Sequence, residues 1–140
     1  LRENQSAAQK AEGAAWKHDV AVPVSRVADF IAVASAALEA RFPGVRIDAF
    51  GHVGDGNIHY DVLSAKGADQ GVHTAARDEG ARIVHDIVAA MGGSISAEHG
   101  LGTMKTAEAL RYKAPAEVAA QRAIRAALDP KRIMNPRVLF

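Results

Sequence analysis

Gly51-His52-Val53-Gly54-Asp55-Gly56-Asn57-Ile58-His59-Tyr60 is the stretch on which the fold turns. Asp55-Gly56 is a strong two-residue hairpin signal, because a type I′ turn needs positive φ at both central positions. A turn centred there predicts that Gly54 faces Asn57, Val53 faces Ile58 and His52 faces His59. Directly opposed residues carry Cβ atoms about 4.5–5.5 Å apart, a spacing from which two imidazoles can chelate one ion. Strand alternation then sorts the faces. Ile47, Val53, Ile58, Tyr60 and Val62 are expected on one side, against helices carrying Phe30 and Ile87. Asp48, His52, His59 and Asp61 are expected on the other, where they form either a site or a solvated face.

Outward from the hairpin the chain is rich in alanine, 30 of 140 residues, which favours helix. Residues 1–16 read as the end of a helix and 19–24 as a short strand. Ser25 suits an N-cap. The helix after it carries Val27, Phe30, Ile31, Val33, Ala34, Ala37 and Leu38 roughly on one face and stops before Pro43-Gly44. Strands are expected over 45–53 and 58–63. A helix over 72–91 buries Ile83, Val84, Ile87, Val88 and Met91, and Gly92-Gly93 ends it. Residues 94–97 read as a last strand, followed by helices over 103–112 and 115–128 that Asp129-Pro130 closes. The order β-α-β-β-α-β predicts an α+β fold: a ferredoxin-like antiparallel sheet with helices on one face, plus C-terminal helices, as a single domain over 1–140.

The composition, 49% hydrophobic and 24% charged, is that of an ordinary globular domain and excludes disorder and low complexity. A formal net charge of +1 gives no basic field for nucleic acid or an anionic membrane. With no cysteine, disulfides, thiol catalysis and Cys-ligated zinc are excluded, so any metal must use His and carboxylate. No apolar run is long enough to span a membrane. The chain opens at Leu1, without an initiator Met and inside what reads as a helix, which predicts part of a longer chain.

A second constellation, Ser96-Ala97-Glu98-His99-Gly100-Leu101-Gly102, follows the last expected strand. Glu98 could complete a His52/His59/carboxylate set with an open coordination position, the pattern of catalytic metal sites. His99, next to it, is expected to point elsewhere and to serve as a base near neutral pH. The plainer reading is that Glu98-His99 caps the turn that follows. His73 and His85 read as surface histidines, His18 as a weaker candidate, and Arg122, Arg125 and Arg132 as a solvated face. Gly54-Asp55-Gly56 is not a phosphate loop, since no helix and no Gly-Lys-Ser/Thr follows it.

With both motifs in view, the chain resembles the C-terminal domain of FAD-linked oxidases of the vanillyl-alcohol oxidase type. The group resembled contains D-lactate dehydrogenase, the glycolate oxidase D subunit and D-2-hydroxyglutarate dehydrogenase. The matching residues are Lys17-His18-Asp19-Val20-Ala21-Val22-Pro23, the Gly51–His59 string, Ser94-Ile95-Ser96-Ala97-Glu98-His99-Gly100-Leu101-Gly102, Leu128-Asp129-Pro130 and Asn135-Pro136.

The resemblance implies that His52, His59 and Glu98 bind a divalent metal, zinc or manganese, and that His99 takes the substrate hydroxyl proton while FAD takes the hydride. It further implies that Lys17 binds the substrate carboxylate, with Arg2 and Ser6 as further substrate contacts and Asn57 holding the turn. Two departures stand out. Asp61 occupies a substrate-proximal position where the hydroxyglutarate branch tends to carry Asn, and an anion there repels a dicarboxylate. Arg137-Val138 replaces a common Gly-Lys, so a flavin contact near Asn135 can differ.

FAD itself would be bound mainly by a preceding domain, because this chain has no dinucleotide glycine fingerprint. The function implied is oxidation of a D-2-hydroxy acid to a 2-oxo acid, by a cytoplasmic protein or one peripheral to the inner membrane, with its own FAD domain as partner and a homodimer left open. Alone, this segment is expected not to turn over. The residues by themselves also suit a metal-dependent hydrolase, or a ferredoxin-like binding module without catalysis.

Overall fold

The computed structural model describes residues 4–138. The chain folds as two compact units that divide after Glu98.

In the first unit, three strands, β1 (Ala15–Ala21), β2 (Arg46–His52) and β3 (Asn57–Leu63), form an antiparallel sheet in the order β1-β3-β2. The hairpin register differs from expectation by two residues: His52 pairs with Asn57, and Phe50, not His52, pairs with His59. The cause lies in the turn. Val53–Asp55 form a 3₁₀ turn, the N–H of Gly56 bonds the carbonyl of Val53 (3.0 Å), and Gly56 is left-handed at φ +71°. Asp-Gly therefore occupies the last two positions of a four-residue turn. Gly56 is required there twice over, since a Cβ would also lie 2.0 Å from the Val22 carbonyl oxygen.

A slip of two preserves the parity of the strand, so the faces stand. Ile58, Tyr60 and Val62 are buried as expected and Ile47 half-buried, while Val53 leaves the strand and is 54% exposed.

The apolar face lies under α2 (Val27–Arg41) and α4 (Arg77–Ala90). Helix α2 buries Val27, Phe30, Ala34 and Leu38; the Phe30 ring meets Tyr60 at 5.2 Å, and Ser35 Oγ shares a hydrogen bond with the Tyr60 hydroxyl (2.9 Å). Helix α4 contributes Val84 and Val88 and approaches β1 so closely that a Cβ at Gly80 would lie 2.3 Å from the Trp16 ring. Val33 points to solvent. The helix expected over 72–91 is interrupted at Ala76, leaving α3 (Gln70–Ala75), which Asp69 caps through the N–H groups of Gly71 and Val72. A short 3₁₀ turn at Val24–Arg26 replaces the expected Ser25 cap.

Two histidines expected at the surface belong to this core. His73 stacks on Trp16 (4.2 Å) and donates from Nε2 to the Val62 carbonyl (3.1 Å), and His85 packs edge-on to His18 (5.9 Å). They are inside because α3 and α4 lie along β1, whose inward Trp16 and His18 offer ring faces to them.

Two further features depart from expectation. The last strand is reduced to one bridge, in which Ala21 and Ser94 exchange both backbone hydrogen bonds (2.9 and 2.8 Å). Helices also occupy both faces of the sheet, because α1 (Gln5–Glu12) crosses the polar face, Gln5 and Gln9 donating to Asp48 at 3.0 and 2.7 Å.

The second unit holds α5 (Thr106–Tyr112) and α6 (Pro115–Leu128). Arg125 is not a solvated side chain. Its guanidinium gathers the carbonyls of Met134, Asn135 and Val138, while the Asp129 carboxylate accepts the N–H groups of Ile133 (3.0 Å) and Met134 (2.9 Å). The Asp-Pro and Asn-Pro strings thus close the C-terminal loop. Arg132 lies in that loop, not on a helix.

Candidate functional site

The register places three rows of side chains on the polar face: Lys17-Asp61-Asp48, Asp19-His59-Phe50 and Ala21-Asn57-His52. Row to row the strands advance two residues, about 6.6–6.8 Å. His52 ends β2 and His59 stands on β3, and the chain beyond Ser94 returns beside them. That return sets Glu98 between the two rings: His52 Nδ1 donates to Oε1 (2.6 Å), and His59 Nε2 lies 3.8 Å from Oε2.

Two imidazoles and a carboxylate suit a divalent ion of the zinc or manganese kind. Glu98 meets the two rings through different oxygens, Oε1 at 2.6 Å from His52 and Oε2 at 3.8 Å from His59, and an ion would replace the proton on His52 Nδ1. It is the chemistry of the donors that suits such an ion.

One residue given no role by the sequence stands at the centre of the arrangement. Asp19 is 2% exposed; its Oδ2 accepts the backbone N–H groups of Ala97 (3.1 Å) and Glu98 (2.8 Å), and its Oδ1 accepts from Asn57 Nδ2 (2.9 Å). Its Oδ1 also lies 3.7 Å from His59 Nδ1. The signal was the alternation that sets Asp19 on the same side as Lys17, but only the β1–β3 register brings it beside His59. Asn57, read as holding the turn, donates instead to Asp19 and to the Val20 carbonyl (3.2 Å).

The first row is crowded. Lys17 Nζ donates to Gln9 Oε1 (3.0 Å) and lies 3.9 Å from Asp61 Oδ2, with the lysine side chain 59% exposed and the aspartate 4%. Burial pushes the Asp61 carboxyl above its ordinary range, and the nearby Lys17 charge pulls it partly back. Arg2 and the Ser6 side chain lie outside the described residues. His99 is the first residue of the second unit and is exposed. Asn135, also in the second unit, is left-handed at φ 43°, its carbonyl accepting from Arg125 and from the N–H of Val138 (3.0 Å each). Among the described residues no helix is long and apolar enough to cross a membrane.

Comparison with known proteins agrees with the motifs. The chain is 36% identical over 125 residues to the D-2-hydroxyglutarate dehydrogenase of Xanthomonas citri pv. viticola, covering 89% of this chain and 26% of that protein. It is 36% identical over 138 residues to the probable mitochondrial D-2-hydroxyglutarate dehydrogenase of Oryza sativa subsp. japonica (97% and 23%) and 35% identical over 138 residues to the mitochondrial enzyme of Bos taurus (97% and 24%). The chain spans about a quarter of the length of these relatives. A family model for the C-terminal domain of FAD linked oxidases matches residues 1–139, and the chain belongs to that family.

Proposed function

We propose that this chain is the substrate- and metal-binding part of an FAD-dependent dehydrogenase that oxidises a D-2-hydroxy acid to the 2-oxo acid. The observation that carries the reading is the convergence of His52 and His59 on Glu98, next to a row headed by Lys17, on the polar face of the sheet. In the full-length protein, FAD on the preceding domain supplies the hydride acceptor. His52, His59 and Glu98 would hold a divalent ion, which would supply Lewis-acid chemistry at that point.

This chain's residues do the rest. Lys17 orients the substrate carboxylate by a charge-assisted hydrogen bond, for which it must exchange its contact with Gln9. His99 accepts the hydroxyl proton as the hydride leaves C2, so the products are the 2-oxo acid, reduced flavin and a protonated imidazole. Arg2 and Ser6 assist at the carboxylate, and Asn135 serves as a cofactor contact.

The test is turnover of the full-length protein on a panel of D-2-hydroxy acids with a dye acceptor, alongside its metal content. His59→Ala and Glu98→Ala lose metal and turnover together. His99→Ala keeps metal and loses roughly 10²–10⁴ in kcat. A protein that reduces no dye with any D-2-hydroxy acid refutes the reading, and one fully active after exhaustive chelation refutes its metal half.

A further inference from the structure

The three rows of the polar face hold one large apolar side chain, Phe50, and its ring is half-buried. Its place is what matters. His59 is its cross-strand partner, the two rings 5.2 Å apart, and His52 lies two residues on along β2, on the same face. A molecule held between these two imidazoles therefore lies against the phenyl. Two residues back along β2 stands Asp48, which accepts from Gln5 and Gln9. Along β2 the face thus runs from imidazole to phenyl to carboxylate, in steps of about 6.6–6.8 Å. Lys17 is on β1, on the other side of β3 from Phe50.

A 2-hydroxy acid that turns its carboxylate to Lys17 directs the rest of its carbon chain away from β1, toward β2. There the chain meets Phe50. An apolar side chain gains by leaving water against the ring. A hydroxyl at the same place loses water and finds no hydrogen-bonding atom on the phenyl. A distal carboxylate reaches the row of Asp48 and Asp61, where like charge opposes it.

We infer, resting on the dehydrogenase reading, that Phe50 is a specificity-determining residue of this site. Its ring is the wall on which the carbon chain beyond C2 lies, and the substrate is a monocarboxylic D-2-hydroxy acid with a short apolar side chain.

The experiment is dye reduction by the full-length protein on D-lactate, D-2-hydroxybutyrate, D-glycerate and D-2-hydroxyglutarate, with metal content measured on each preparation. D-2-hydroxybutyrate and D-glycerate differ by a methyl in place of a hydroxyl, so their ratio isolates the wall. Wild type favours D-2-hydroxybutyrate roughly 10-fold or more in kcat/KM, the low end of what an apolar pocket discriminates. Phe50→Ala loses most of that ratio at unchanged metal content, and Phe50→Leu, still apolar, keeps most of it. If Phe50→Ala fails to fold, Phe50→Tyr is read in its place: it keeps the ring, adds a hydroxyl beside the substrate chain and narrows the ratio.

A ring that only steadies His59 lowers turnover of all four acids by one factor and releases metal, and that result overturns the inference. So does a wild type that prefers D-glycerate or D-2-hydroxyglutarate to D-2-hydroxybutyrate. A protein that reduces no dye with these or any other D-2-hydroxy acid refutes the dehydrogenase reading itself, and the role of Phe50 falls with it.

Discussion

Replacing Asp61 by Asn should shift substrate preference toward dicarboxylates. The Asp61 carboxylate is nearly buried, paired across the sheet with Asp48 on one side and Lys17 on the other, so the row carries two carboxylates against one ammonium. A 2-hydroxy acid held at His52, His59 and Glu98 and extending along β3 brings its far end to this row, one step of about 6.6–6.8 Å away. A second carboxylate there meets net negative charge. Two unit charges 4 Å apart interact by about 4 kcal/mol at an effective dielectric of 20. The lysine side chain is 59% exposed, so its pair with Asp61 is discounted toward the 0–1 kcal/mol of surface pairs. A net gain of about 1–2 kcal/mol remains, roughly 5–30-fold in kcat/KM for D-2-hydroxyglutarate relative to D-lactate.

The assay is dye reduction by full-length wild type and Asp61→Asn on both acids. Stability supplies an independent check. The folded carboxyl lies above its ordinary pKa because of burial, so the folded state holds its proton more tightly than the unfolded one. Asp61 therefore costs stability as pH rises from the ordinary carboxylate range through the raised value. Asp61→Asn should be the more stable protein at pH 7, and the difference should vanish in acid. An unchanged substrate ratio together with a less stable variant at pH 7 refutes the reasoning.

His73 gives the opposite sign. Burial lowers its pKa, so its contribution to stability is complete above about pH 6.5, the ordinary value, and is lost as pH falls toward the lowered one. Urea midpoints should drop between pH 7.5 and 5.5 in wild type, and less in His73→Gln. Gly80→Ala should lower stability by about 1–3 kcal/mol, because the new Cβ overlaps the Trp16 ring, and a denaturation curve reads this directly. Arg125→Ala should release the loop whose carbonyls it gathers, seen as faster proteolysis after α6 with the sheet unit's amide-exchange protection unchanged.

The side-chain period of a strand is two, and that explains what the sequence could and could not disclose. Parity assigned Ile58, Tyr60 and Val62 to the core and His59 and Asp61 to the polar face, and parity survives a register error of two. It could not choose between a two-residue turn at Asp55-Gly56 and a four-residue turn ending in the same pair, because both demand a left-handed Gly56. Nor could it align β1 with β3, since these strands are joined through α2 and β2 and no local turn fixes their offset. That alignment brings Asp19 beside His59 and Lys17 beside Asp61.

The missing fourth strand has the same origin. After the Ala21–Ser94 bridge, the Ala97 N–H turns to the Asp19 carbonyl (3.3 Å) and side chain, and the Glu98 N–H to that side chain alone. A buried carboxylate thus takes hydrogen bonds that a ladder would otherwise use, and ends the strand where Glu98 must face the histidines. Local patterning disclosed the donors of the candidate site. Asp19 meets Asn57, Ala97 and Glu98 across 38 to 79 positions of chain, and strand alternation could set its face but not these partners.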